Sequence, residues 1–129
     1  MPIATHHAID PELCGMPNAM EDGFCRVEMT PSDRMKADAS GLVHGGFVFG
    51  MADYAAMLAV NHPNVVLAKT ECRFLKPVRT GERLVAEARV VKSDGKWRMV
   101  DVRVSREGDA VFEGAFSCAV LNRHVLDAG

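Results

Sequence analysis

The chain has 129 residues, with 15 Lys+Arg against 17 Asp+Glu and a formal net charge of −2. That length holds one domain and excludes a long repeat array, and a near-neutral balance without a block of one sign lacks the basic footprint that nucleic acid requires. With 48% apolar and 25% charged residues the composition is that of a folded domain, although its length alone leaves the oligomeric state open.

Residues 1–22 read as an irregular N-terminal arm, broken by Pro2, Pro11, Gly15 and Pro17. From Phe24 to Met29 the apolar Cys25, Val27 and Met29 alternate with Arg26 and Glu28, the period of a half-buried strand that Pro31 ends. Residues 32–43 are polar and small and read as a loop in which Gly41 can take a backbone shape closed to other residues. His44 to Asn61 follows as a helix, rich in Ala, Met and Leu and free of Pro until Pro63. It is apolar on nearly every face, so it must be surrounded by the rest of the fold. Asp53 is its only charge.

Beyond Pro63 the spacing predicts four strands. The first, about 65–75, sets Val66, Ala68, Cys72 and Phe74 against Lys69, Glu71 and Arg73. The second, about 83–92, sets Leu84, Ala86, Ala88 and Val90 against Glu87 and Arg89. A tight turn at Ser93-Asp94-Gly95 leads to the third, about 97–105, with Val100, Val102 and Val104 on one side. Glu107-Gly108-Asp109 turns into the fourth, about 110–121, where Phe112, Phe116, Cys118 and Val120 alternate. One strand, one buried helix and a four-stranded meander give an α+β domain over 23–122, an antiparallel sheet curled around the helix, with a tail over 123–129.

Cys14, Cys25, Cys72 and Cys118 are scattered and form no C-x-x-C pair, so reduced thiols are expected and neither a zinc site nor a redox motif is supported. His6, His7, Asp10 and Glu12 stand where a signal peptide would need an apolar core, and no run approaches about 18 apolar residues. The expectation is a soluble, cytoplasmic protein that binds neither membrane nor nucleic acid. His6 and His7 with Asp10 could be metal ligands, but an exposed terminal pair is the plainer reading.

A carboxylate in an apolar helix calls for explanation. Asp53 is either capped or ion-paired in the core, or it projects into a cleft as a base or nucleophile. His44-Gly45-Gly46 lies at the helix start, where free N–H groups and the positive dipole end suit an oxyanion; His44 alone would serve as a cap.

Gly41-Leu42-Val43-His44-Gly45-Gly46, Asp53 nine residues after the histidine, Phe74-Leu75-Lys76-Pro77 and Gly81-Glu82-Arg83-Leu84 occur in order. In these motifs, across about residues 24–121, the sequence resembles the hotdog-fold acyl-CoA thioesterases of the phenylacetate-degradation type. The resemblance implies a homodimer, with two sheets joined edge to edge, and further pairing into tetramers. It also implies active sites at the subunit boundary: the Gly45 N–H polarises a thioester carbonyl, His44 positions the loop, and Asp53 of a second subunit activates water or attacks. Acyl-CoA would be the substrate and coenzyme A would enter only as part of it, with no metal or redox cofactor.

Many relatives carry Asn six positions before the histidine, where this chain has Asp38. An ionised carboxylate only accepts hydrogen bonds, so Asp38 would weaken hydrolysis, shift its pH dependence or act as a second acid–base group, unless it is an exposed loop residue. Gly46 and Thr70 are further candidates for contacting substrate, and Arg73, Lys76, Arg79, Lys96 and Arg98 for the coenzyme A phosphates; ordinary strand and surface roles are the alternatives. Met51, Tyr54 and Met57 line either an acyl pocket or the core. Two rivals stand beside the hydrolase: a non-catalytic acyl-CoA-binding module, and a dehydratase or hydratase with a differently placed His and carboxylate.

Overall fold

The computed structural model describes residues 1–127; the last two residues of the predicted tail, 128 and 129, lie outside the described residues. Helix α2, Gly45–Val60, runs across one antiparallel sheet of six strands. These are β1 (Met16–Glu21), β2 (Phe24–Met29), β3 (Val65–Phe74), β4 (Leu84–Asp94), β5 (Trp97–Arg106) and β6 (Asp109–Val120).

The predicted helix stands between the expected limits. His44 caps its start, and Asn61 ends it in the left-handed conformation, its N–H donating to Met57 O at 2.8 Å. Ala52, Ala55, Ala56 and Ala59 are buried, and so are Ala86 and Ala88 on the facing β4. Small side chains on both surfaces let the helix lie close to the sheet. The alternation read in β2, β4 and β5 holds: Cys25, Val27, Met29, Leu84, Ala86, Ala88, Val100, Val102 and Val104 are buried.

Four expectations need correction. The arm over 1–22 is not irregular throughout. Asp10 accepts a hydrogen bond from Glu12 N–H at 2.9 Å and Pro11 opens the short helix α1, Pro11–Cys14. Asp22-Gly23 then turns β1 back onto β2, Gly23 having φ 74°. Second, the last four strands are not a simple meander. The sheet order β1-β2-β4-β5-β6-β3 puts β3 at the far edge against β6, away from its sequence neighbour β4. Third, a bulge between Leu67 and Lys69 shifts the phase of β3. Leu67 pairs with Cys118 and Thr70 with Phe116, so the inward residues are Val65 and Leu67 before the bulge and Thr70, Cys72 and Phe74 after it; Val66 and Ala68 leave that face. Fourth, the β4–β5 turn sits one residue later than expected, at Gly95-Lys96 between the paired Asp94 and Trp97. The tail also contains a 3-10 turn, Val125–Asp127.

Gly114 is required by close approach. A Cβ there would lie 2.8 Å from Phe116 Cε1 and 3.0 Å from Cys72 Cβ, so the bare backbone makes room for the Phe116 ring. On the far side of α2 the arm is strapped down. Asn61 Oδ1 accepts from Ala4 N–H at 2.8 Å and Asn61 Nδ2 donates to Pro2 O at 3.0 Å.

Asn61→Gly keeps the left-handed helix end and deletes only that strap. The variant should lose about 1–2 kcal/mol in urea melts, and removing residues 1–4, which also takes away the core contact of Ile3, should cost less in the variant than in the wild type, a non-additivity that tests the strap directly.

Candidate active site

His44 binds its own helix. Its Nδ1 accepts from Gly46 N–H at 2.9 Å, which requires Nδ1 unprotonated and occupies one of the free donors of the first turn. His44 N–H donates to Met35 O at 2.9 Å, and Val43 N–H to Val78 O at 2.8 Å, anchoring the segment that leads into the helix. The Gly45 N–H has no partner among the described residues. A Cβ on Gly45 would lie 3.2 Å from Phe74 Cε2, so the ring of the last β3 residue stands directly beside the first helical residue.

Asp53 lies two turns further along α2 and is half-buried. Its Oδ1 is buried with no hydrogen-bond partner among the described residues, as is Thr70 Oγ1 on the edge strand β3. The capped or ion-paired core role is therefore absent for that oxygen among the described residues. Burial pushes the Asp53 carboxyl up to about 6. Its charge is felt by Cys14 and Cys118, whose thiols burial already pushes up. The buried thiols of Cys25 and Cys118, both near 12, are poor nucleophiles at neutral pH.

The other predicted residues are dispersed. Asp38 is exposed at the tip of its loop, and its Oδ1 accepts from Ser40 N–H at 2.9 Å and Ser40 Oγ at 2.5 Å. The Ser40 contacts hold its carboxyl below the usual value, so in this chain Asp38 shapes a turn. Lys76 stands at the rim of a cavity beside Gly45, paired with Asp109 at 3.8 Å. Arg79 lines a separate hollow with Glu82 and Arg106. Arg73 is on the outer face of the sheet, in a cross-strand row Arg26, Glu87, Arg103, Glu113, Arg73 of alternating sign. Lys96 lies over the Trp97 ring at 5.2 Å, and Arg98 bonds Gly95 O and Trp97 O. Trp97 pairs with Ala119 while Phe74 pairs with Phe112, seven residues away along β6. At about 3.3 Å per residue, Lys96 and Arg98 are thus at the opposite end of the sheet from Gly45, roughly 23 Å away. Met51, Tyr54 and Met57 are buried in the core. The sequence carried no sign of the cavity wall, because Val48, Val78 and Val111 are apolar like the core around them; Phe74 stood in a motif and on a strand face but was given no role in the site.

The raised Asp53 carboxyl has a consequence for stability. Its folded value, about 6, exceeds the 3.8 of an ordinary Asp. Between these values the folded state holds a proton that the unfolded state has released, so stability is lost as pH rises from about 4 to about 6. Asp53→Asn should remove that loss, making the protein more stable than wild type at pH 8 by on the order of 2–3 kcal/mol and equal to it at pH 3.5. Denaturant melts at both pH values measure this.

Comparison with known proteins now assigns the chain. A family model described as thioesterase superfamily matches residues 40–113. Methylthioribose-1-phosphate isomerase of Aquifex aeolicus is 50% identical over 121 residues, 94% of this chain but 26% of that protein. Transcription factor FapR of Shouchella clausii is 38% identical over 82 residues, 62% of this chain and 42% of that protein. The chain thus spans a quarter to under half of these relatives, whose names describe larger molecules. An uncharacterised protein of Pyrococcus horikoshii, PH1136, superposes with TM-score 0.97 at 51% identity, covering 98% of both chains. The PaaI protein of the E. coli phenylacetic acid degradation operon shares the fold at TM-score 0.79 and 24% identity, over 87% of this chain and 83% of its own. With more than half of its length matched by that model, on an antiparallel sheet laid over one buried helix, the chain belongs to the thioesterase superfamily.

Proposed function

We propose that this protein is an acyl-CoA thioesterase that hydrolyses its substrate to a free acid and coenzyme A, and that it works as a homodimer. The observation that carries this reading is the pairing, on one helix, of an N–H at Gly45 and a buried Asp53 Oδ1 that both lack a partner among the described residues. The first suits a developing oxyanion and the second suits proton abstraction near neutral pH.

Helical geometry argues for the second copy. Eight residues separate Gly45 from Asp53. At about 1.5 Å and 100° per residue that is ~12 Å along the axis and about 80° around it. A thioester needs its oxygen about 3 Å from a donor and its carbon about 3.3 Å from the attacking group, which one helix so spaced does not provide. Gly45 from one chain and Asp53 from another can. The edge strand β3, ten residues with β6 as its sheet neighbour, offers the open hydrogen-bonding edge for such a pairing. In the doubled sheet the orphan Thr70 hydroxyl lies on the strand at the junction.

In the reaction Asp53 takes a proton from water, and the water oxygen bonds to the thioester carbon. The carbonyl oxygen becomes an oxyanion held by Gly45 N–H, and the C–S bond then breaks, releasing the acid. The coenzyme A thiolate regains a proton from Asp53 or solvent. His44 keeps the loop in place while spending its Nδ1 on Gly46, so that the neighbouring Gly45 donor faces substrate. Lys76, exposed at the cavity rim in a loose pair with Asp109, is the cation that would meet the coenzyme in this reading.

The similarity to a transcription factor favours a second reading, a non-catalytic module that binds acyl-CoA. Thiol release from acyl-CoA separates the two. The thioesterase reading predicts turnover that falls about 10²–10⁴-fold in Asp53→Asn. It also predicts a kcat/KM that rises with pH through about 6 as Asp53 ionises, then levels. Tight binding with no release above buffer supports the module, and equal rates in wild type and variant remove Asp53 from the mechanism.

A further inference from the structure

The outer face of the sheet, turned away from α2, takes no part in the site. Residues in register across β2, β4, β5, β6 and β3 stand side by side on it, and two adjacent rows carry most of its charge. One is the row Arg26, Glu87, Arg103, Glu113 and Arg73. The other, two residues along each strand, is Phe24, Arg89, Asp101, Ala115 and Glu71. From β4 to β3 every residue of both rows is exposed, and the rows border an open hollow with Val102 and Gly114 in its wall.

Opposite charges side by side on neighbouring strands stabilise a sheet, and the alternation of sign along each row serves that end. Such a role leaves the phase of one row against the other free. Here the rows are out of phase, so that β4, β5 and β3 each carry one charge of either sign: Glu87 and Arg89, Asp101 and Arg103, Glu71 and Arg73. Few of these charges are used within the chain. Among the described residues, the ion pairs that involve these rows are Arg26 with Glu87 at 3.7 Å and Lys69 with Glu71 at 3.4 Å. Asp101, Glu113, Arg73 and Arg89 form none, and Arg89 lies over the Phe24 ring at 4.7 Å.

We propose that this face binds the same face of a second copy of the chain, about a two-fold axis that crosses the strands between the two rows. That operation lays each row on the other. Glu87 then meets Arg89 of the copy, Arg103 meets Asp101, and Arg73 meets Glu71, each pair occurring twice. Arg26 comes to the Phe24 ring and Glu113 to the small Ala115, so no like charges meet within the rows. A two-fold axis along β5 would instead lay Arg26 on Arg73 and Glu87 on Glu113, like on like, and the pattern thus selects between the two ways of covering the whole face. Stacked sheets stand about 10 Å apart, a gap that an arginine from one side and a carboxylate from the other span together. A contact made this way is held by charge and weakens as salt rises. It uses neither the open edge of β3 nor the residues around Gly45 and Asp53, so it is independent of the thioesterase reading and adds to the pairing through β3.

The test is molecular mass by sedimentation equilibrium, at about 0.05 M and about 1 M salt, for wild type, Arg103→Glu and Asp101→Arg, and for the two variants mixed. Both positions are exposed, so folding should survive, which thermal melts check. Alone, each variant sets like charges against each other at two places across the axis, and its self-association through this face should weaken at least ~10-fold. In the mixture, opposite charges again face each other at both places, although the altered cross-strand neighbours within each chain remain. The expected result is wild type at low salt with twice the mass of either variant, whether four chains against two or two against one. High salt should bring the wild type down to the variants, and mixing the variants at low salt should restore the wild-type mass. Equal masses for wild type and variants at low salt, or a mass lost in both variants and not recovered on mixing, overturns the proposal.

Discussion

Helix α2 is the constraint around which the rest of the molecule is arranged. Sixteen residues with one charge cannot lie on a surface, because no face is polar enough to meet water. The sheet therefore covers one side of the helix, and α1 with the N-terminal arm covers another, held by Asn61. The same enclosure is what perturbs Asp53. A group that would be an ordinary carboxylate on a surface helix becomes a carboxyl with a raised pKa because its helix has nowhere exposed to go.

The helix start is organised by competition for a few backbone donors. His44 could have been replaced by Ser or Asp as a cap, but either would take the same Gly46 N–H without the ring that packs edge-on against Phe47 at 6.1 Å. Gly45 is constrained from outside the helix: a Cβ there would stand 3.2 Å from Phe74 Cε2, so a larger residue would have to push the exposed Phe74 ring aside. The corner Phe74–Val78 is thus coupled to the helix start through the Phe74 ring beside Gly45 and one backbone bond from Val43 N–H to Val78 O. Two segments far apart in sequence form a single wall.

Much of this was legible in the residues. Cys25-Arg26-Val27 and Val100-Asp101-Val102 betray their strands because one face of the sheet meets the core and the other meets solvent. Asp53 and the glycines after His44 marked the site because charge and backbone freedom are conspicuous in an apolar run. What stayed hidden has physical causes. The bulge at Ala68 adds one residue to β3 and reverses its phase, which no local pattern announces. The position of β3 beyond β6 depends on pairing across about fifty residues of chain. Asp22-Gly23 is a hairpin signal, but the prolines on its N-terminal side obscured the strand it joins. The cavity beside Gly45 was hidden because Val48, Val78 and Val111 come from a helix, a loop and a strand far apart in sequence and differ in nothing, as residues, from the core around them.

In the proposed reaction Gly45 and Asp53, from two copies of the chain, address one thioester. It is tested most directly by the crystal structure of the protein with an acyl-CoA analogue in which a methylene ketone replaces the thioester. The expected result is two chains joined through β3, the ketone oxygen about 2.7–3.2 Å from the Gly45 nitrogen of one chain, and the Asp53 carboxylate of the other facing the ketone carbon. A monomer, or an analogue bound with its carbonyl away from Gly45, would contradict it.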